Sequence, residues 1–197
     1  MFWINQAINK FVNLRFNGDP VHHTGFEQNE KRRSDLMNLF KEIKLIPTDI
    51  ENHALYTSYK YEYPNDFKYA TDENVVISDN NDEHTMDTCT FECTRDSFMY
   101  RVNNSLTDFH YRFHRARPLR VRNDKGCELL TDGKYKINKY VLGYIRKPNE
   151  ITSEDLNCEY GDFSESAMGE IVKMAAQMYL ENTKNERYQS ITQEVLT

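Results

Sequence analysis

Two short stretches hold the carboxylates and lysine that a metal-dependent nuclease uses: YPNDF at 63–67 and DGK at 132–134. Such a site needs acidic groups converging on a hard cation, with a lysine beside the attacked phosphate. Asp132-Gly133 already reads as a tight turn, and no second acidic strand residue stands before Lys134, so the turn is the preferred reading of DGK. SDNNDE at 78–83 starts like a calcium loop, yet His84 stands where the loop needs glycine and Thr90 where it needs glutamate, which favours a solvated loop. Cys89, Cys93, Cys127 and Cys158 form no C-x-x-C pair, and no histidines have finger spacing, so free thiols are expected rather than zinc or a disulfide framework. Gly-x-Ser-x-Gly, phosphate-loop and dinucleotide fingerprints are missing, and 7 glycines leave little material for a phosphate cradle. His110 and His114 fall on the polar side of an alternating run, where solvated or interfacial histidines are the default. The expectation is therefore no catalytic residue, no metal and no cofactor.

The densest charge feature is RFHRARPLRVR, with Arg112, Arg115, Arg117, Arg120 and Arg122. Arginine forks suit carboxylates and phosphate oxygens alike. A solvated strand face is the commonest account of such a run, contact with protein carboxylates the next, and nucleic acid the third, because an acidic protein needs a segregated basic face to bind it. A second cationic feature closes YVLGYIRKPNEI, where Arg146 and Lys147 precede Pro148. Proline lacks an amide donor and keeps Lys147 extended, so the strand must stop there with two cations presented at a fixed exit.

The elements that position these residues follow from periodicity. Ile4, Ala7, Ile8, Phe11 and Val12 recur at helical spacing within the first 16 residues, and NGDP breaks the pattern. A second helix is expected from the capping-box pair Thr24 and Glu27, through the stripe Leu36, Leu39, Phe40 and Ile43, to Pro47. The middle changes period: Phe109, Tyr111 and Phe113 alternate with polar residues as in a half-buried strand. ELLTDGKYKI reads as a hairpin around Asp132-Gly133, and RNDKG around Asp124 as an earlier turn. A last helix is expected from the pair Asp162 and Glu165, with Ala167, Met168, Ile171, Val172, Ala175, Met178 and Tyr179 as its apolar face. The expected fold is α+β: a discontinuous helical bundle of residues 1–54 and 149–197, with terminal extensions, and an inserted, mostly antiparallel β region at 55–148.

A chain of 197 residues suits one domain with an insertion rather than two independent domains, and 13 Tyr with 11 Phe make it globular and rich in contact-forming aromatics. No apolar run approaches the ~20 residues of a membrane span. The opening segment lacks a basic leader with a long apolar centre, so a soluble protein made inside the cell is expected, without a membrane partner. The net charge of −6 is uneven: residues 95–147 hold 13 Lys and Arg against 5 Asp and Glu, a net of +8, which leaves −14 elsewhere. That pattern reads as an electrostatically two-sided molecule, able to bind nucleic acid or the acidic part of a neighbouring copy.

FEQNEKRRSDLMNLF, YEYPNDFKYA, ARPLRV, YKINKYVLGYIRKPNEI and SAMGEIVKMAAQMYLENTKNERYQS follow one another in an order that resembles virion ring proteins of the head-to-tail neck in crAss-like bacteriophages. The layout also resembles tubular adaptor or gatekeeper proteins of short-tailed phages, and the resemblance runs from about Thr24 to Ser190. It implies a virion structural protein made in the host cytoplasm: a closed ring of twelve copies under the portal. Such a ring extends the DNA channel, passes genomic DNA without reading its sequence, and meets the portal and other neck or tail proteins. Tyr144 to Pro148 match the family's strand-ending motif; Tyr179 to Glu181 and Arg187 to Gln189 match its late helix and following segment. No enzymatic residue is carried over. The protein interface expected from these features comprises Arg112, Arg115, Arg117, Arg120, Arg146, Lys147, Pro148, Glu181, Arg187 and Tyr188. The alternative is a nucleic-acid-binding accessory protein using Arg112 to Arg122, and a small metal-dependent hydrolase stands third.

Overall fold

In a computed structural model, residues 1–18, 30–81, 84–112, 115–152 and 160–183 are described. The chain divides into two compact units, one made of residues 1–40 and 147–197, the other of residues 41–146.

The first unit is built by helices from both ends of the sequence. Helix α1 (Phe2–Asn17) buries Ala7, Ile8, Phe11 and Val12, the three- and four-residue series that places side chains on one helical face. It packs against a helix near the other end, Glu165–Asn182, which buries Ala167, Ile171 and Ala175. Phe11 meets Phe163 edge to face at 5.6 Å between ring centres. Burying a side chain of this size contributes about 1.5–3 kcal/mol, so these few contacts dominate the unit. At its rim Arg15 donates through Nε to Asp35 at 2.8 Å and also reaches Glu170, which Lys31 approaches at 2.9 Å. Burial works against the Glu170 carboxylate, but Lys31 and Arg15 outweigh it and lower its pKa.

Two expectations change here. Residues 30–36 form the short helix α2 (Glu30–Leu36), a single 3₁₀ turn follows over Met37–Leu39, and strand β1 (Phe40–Leu45) begins where helix was expected to continue to Pro47. FKEIKL also alternates with period two, and pairing in a sheet overrides its weaker helical match. Leu36 and Leu39 are buried as the stripe implied, whereas Phe40 and Ile43 are 44% and 37% exposed. Thr24 and Glu27 lie outside the described residues. The cap of the last helix is Ser164, whose Oγ accepts from the Ala167 amide at 3.4 Å. Asp162 instead accepts from the Asn149 backbone and side-chain amides at 2.7 and 3.2 Å. Ile151 is likewise held at both backbone polar groups by the Asn5 side chain, at 2.9 and 3.1 Å. The segment after Pro148 is therefore fastened to the helical unit at once.

The second unit carries two sheets. The remaining strands are β2 (Asp49–Asn52), β3 (Thr57–Glu62), β4 (Phe67–Asp79), β5 (Thr85–Cys89), β6 (Phe91–Cys93), β7 (Leu119–Arg122), β8 (Gly126–Thr131) and β9 (Tyr135–Arg146), with helix α3 (Phe98–Asn103) after β6; the C-terminal helix is α4. One sheet has the order β1-β9-β4-β5 and the other β2-β3-β8-β7-β6. Pairing is antiparallel between β2 and β3, β3 and β8, β7 and β8, β4 and β5, and β4 and β9, and parallel between β6 and β7. The molecule is thus α+β with two mostly antiparallel sheets. Their shared core comprises Tyr59, Tyr61, Cys127 and Leu129 from one sheet with Leu45, Val75, Ile77, Tyr140 and Leu142 from the other. Leu119, Val121, Leu130 and Cys93 on the opposite face of the five-stranded sheet pack with Val102 of α3 and with Phe109.

Turn chemistry is read well, pairing less so. Gly133 has φ +74°, as a primed turn at Asp132-Gly133 requires, yet the strands it joins lie in different sheets, so the chain crosses the sandwich there rather than forming a hairpin. The hairpin is the one at Asn123–Gly126, where the Asn123 Oδ1 accepts from the amides of Lys125 and Gly126. Residues 109–111 form no strand; Arg112 and Arg115 make one isolated bridge instead. Phe109 is buried against α3, and Tyr135 Oη donates to its carbonyl at 3.1 Å, so the alternation reflects loop packing.

Candidate assembly surfaces

The arginine run is distributed by depth. Arg112 and Arg115 exchange backbone hydrogen bonds of 3.1 and 2.7 Å across a tight turn and are both exposed, with Phe113 and His114 between them outside the described residues. The Arg112 guanidinium donates to the Ser105 carbonyl, and Arg115 Nε lies 3.8 Å from Asp108. Arg117 is half-buried and donates its amide to the Asp108 carbonyl at 2.7 Å. The backbone bridge holds Arg112 and Arg115 side by side, while Arg122, also exposed, lies apart on β7.

Arg120 departs from the expected interface. It is 5% exposed, bonded to the half-buried Glu73 and 2.8 Å from Glu92, while Arg122 lies 3.5 Å from the other Glu92 oxygen. Burial alone would lower the Arg120 pKa, but the charges of Glu73 and Glu92 outweigh it and hold the guanidinium above its ordinary value. Thr90 donates to the second Glu73 oxygen. These groups line a cleft of about 300 Å³ with Ala70, Thr71 and Asp72. The register explains the burial: Ile50, Tyr59, Leu129, Arg120 and Glu92 are successive cross-strand partners, so one row on the inner face runs from apolar at β2 to charged at β6. Arg120 is an internal residue of the sandwich and not a docking cation.

Arg146 and Lys147 mark the junction of the two units, one on each side. Arg146 and Pro148 are half-buried, and Lys147 is exposed. Glu181 is exposed in the last turn of α4, while Arg187 and Tyr188 lie outside the described residues. Counting charges by unit removes the sequence-level asymmetry: residues 41–146 contain 16 Lys and Arg against 17 Asp and Glu, a net of −1, because the basic stretch folds together with acidic β2 to β5. The molecule is not divided into a basic and an acidic unit.

The residues weighed for nuclease chemistry have structural partners. Asp66 accepts from Lys41 at 2.7 Å and from Tyr144 at 3.0 Å; the Lys41 bond chiefly lowers its pKa, and burial together with Asp66 pushes the Tyr144 phenol up to about 12. Asp132 accepts from the amides of Tyr111 and Lys134 at 3.0 and 2.9 Å, a turn-holding role. His110 is half-buried, 3.8 Å from Asp132, rather than on a solvated strand face, and His114 lies outside the described residues. Among the described residues no group of three or more His, Cys, Asp or Glu is placed to hold a metal ion. Cys89 is an exposed free thiol, Cys93 and Cys127 are buried ones, and Cys158 lies outside the described residues. Burial raises the Cys127 pKa.

Apolar exposure was not foreseen from sequence. Ile43, Ile46 and Ile50, around the β1–β2 connection, are 37%, 76% and 51% exposed, and Met99, Tyr100 and Leu106 are exposed in and after α3. The available signal was small: two isoleucines around a proline read as the end of a helix. Among the described residues no helix is long and apolar enough to cross a membrane.

A search among curated proteins finds no match. The family model described as phage tail ring protein 3/4, of the crAss type, matches residues 2–174. That span starts at the amino-terminal helix and takes in both sheets and half of α4, stopping short of Glu181, Arg187 and Tyr188. With helices, sheets and the arginine turn all inside one match, the chain belongs to the phage tail ring protein 3/4 family of crAss-like phages.

Proposed function

We propose that this protein is a structural subunit of a phage head-to-tail connector, assembling as a ring of twelve copies below the portal. The ring extends the DNA channel, passes the genome without reading its sequence, and docks further neck or tail proteins. It acts without catalysis or cofactor. The observation that carries this reading is the tail-ring family match across 2–174, which spans both compact units. Within the ring, Arg112, Arg115, Arg117, Arg146, Lys147 and Pro148, and also Glu181, Arg187 and Tyr188, are the residues that meet neighbouring proteins. The exposed turn holding Arg112 and Arg115 supports that assignment. The nucleic-acid alternative gains nothing from the fold, since the unit carrying Arg112 to Arg122 has a net charge of −1.

Exposed single ion pairs contribute only about 0–1 kcal/mol, so one charge reversal is expected to do little, while arginine contacts desolvated at an interface matter several-fold more. The combined variant Arg115→Glu, Arg117→Glu, Arg146→Glu is expected to fold as a subunit and to be missing from particles. Native mass measurement of the protein alone and with a portal reads the ring itself. Normal incorporation of the triple variant at normal salt, with unchanged infectivity, returns these residues to a solvated surface.

A further inference from the structure

The four-stranded sheet has two unlike edges among the described residues, β1 and β5. In β1 every residue but Leu45 is exposed, although the strand alternates so that Lys41, Ile43 and Leu45 share the side that Leu45 places in the core. Ile43, inward-facing and 37% exposed, therefore lies at the rim of the core, where no strand beyond β1 is found among the described residues. On β5, Met86 and Thr88 pair with Ile77 and Val75, which are core residues, so they lie on the inward side; Thr85, Asp87 and Cys89 are exposed on the other. Neither strand contains proline, and their charges are opposite: two lysines and one glutamate on β1, one aspartate on β5.

Resting on the ring reading above, we propose that β1 of one copy pairs with β5 of the next, so that the four-stranded sheets join edge to edge around the ring. An open edge presents unpaired amides and carbonyls that another strand can complete. The occupant is a second copy of this chain because a contact between two different edges of one sheet is head-to-tail, the kind that closes into a ring. The added strand sets Met86 and Thr88 beside Ile43 on the inner side. It sets Asp87 beside the outward row of Glu42 and Lys44, where the lysine complements it. The Ile43 exposure, the free thiol at Cys89 and the opposite charges are then parts of one contact.

Cys89 supplies the test. Within one subunit β1 and β5 are separated by β9 and β4, so their backbones lie about 14 Å apart at about 4.8 Å per strand step, beyond the roughly 4.4–6.8 Å that a disulfide spans between Cα atoms. A bond from β1 to Cys89 must join two copies. Particles are assembled with Glu42→Cys or Lys44→Cys chains, each also in a Cys89→Ser background, then mildly oxidised and run on non-reducing gels beside native mass measurement of the extracted rings. The expected result is a ladder of covalent multimers with at least one of the two cysteines, lost on reduction and lost with Cys89→Ser. Rings of normal mass that yield only monomers with both variants, or a ladder that survives Cys89→Ser, overturn the strand contact while leaving the ring standing. A chain monomeric by native mass and missing from particles in its wild-type form overturns the ring reading and this contact together.

Discussion

Arg120 brings a buried charge to β7, one strand in from the edge of its sheet, and its partners decide what its replacement does. Its side chain is 7% exposed and that of Glu73 is 9%, so removing the cation alone leaves a carboxylate unpaired in the interior. Arg120→Met is expected to cost about 3–5 kcal/mol, while Arg120→Met combined with Glu73→Leu recovers most of that loss, because breaking a buried pair costs more than replacing it. Urea midpoints of the two variants check this, and equal losses would place the pair at the surface in solution. The sequence makes Arg120 look solvated, since Leu119 and Val121 alternate with it and claim the buried side. What a sequence does not carry is that this strand is interior to its sheet, or that the carboxylate answering Arg120 comes from a strand 47 residues away. The isoleucines around the β1–β2 connection escape notice for the same reason: type and spacing say that they are apolar, and only the fold says that they stay exposed among the described residues.

At the scale of elements, the glycine that opens β8 and the one that follows it do different things, and substitution separates them. A Cβ on Gly126 would lie 2.0 Å from the Tyr61 carbonyl oxygen, and backbone cannot yield as a side chain would. Gly133 has open space, with only Thr57 Oγ1 at 3.7 Å, but holds φ +74°. Gly126→Ala is therefore expected to force β3 from β8 and give no soluble β unit, whereas Gly133→Ala remains folded with a loss of about 1–2 kcal/mol from the left-handed backbone. Soluble yield and thermal midpoints distinguish the two. Both turns were legible, because glycine with Asn or Asp encodes a local conformation. Which strands lie on either side was not, since a turn constrains its own four residues and leaves the choice of sheet to the core. The helix over-extended to Pro47 is a related case: FKEIKL fits two periods, and a proline ends a strand as readily as a helix.

Across the whole molecule the packing of α1 against α4 could be read, because the stripes Ala7, Ile8, Phe11, Val12 and Ala167, Ile171, Ala175 each require a partner. The charge balance of each unit could not be read, since adding charges along the chain separates residues that folding brings together. The pairing of α1 with α4 also sets an order of events on the ribosome. Synthesis at roughly 5–20 residues per second leaves on the order of ten to thirty seconds between the completion of the two helices, and a lone helix of 16 residues is only marginally stable in water. The β unit, complete at Arg146, has time to fold within that interval while α1 waits with its apolar side uncovered. Trp3, the sole tryptophan, is half-buried on α1 and serves as the fluorescence probe of that helix. Chains halted after residue 152 are expected to protect 41–146 from protease while leaving Trp3 emission red-shifted and α1 cleavable, and full chains to protect both. Equal protection of α1 in the two would mean that it does not wait. A nascent subunit thus holds α4 as the latch for α1, and any chain cut short before α4 carries an uncovered apolar helix that marks it for chaperones and proteases instead of for the ring.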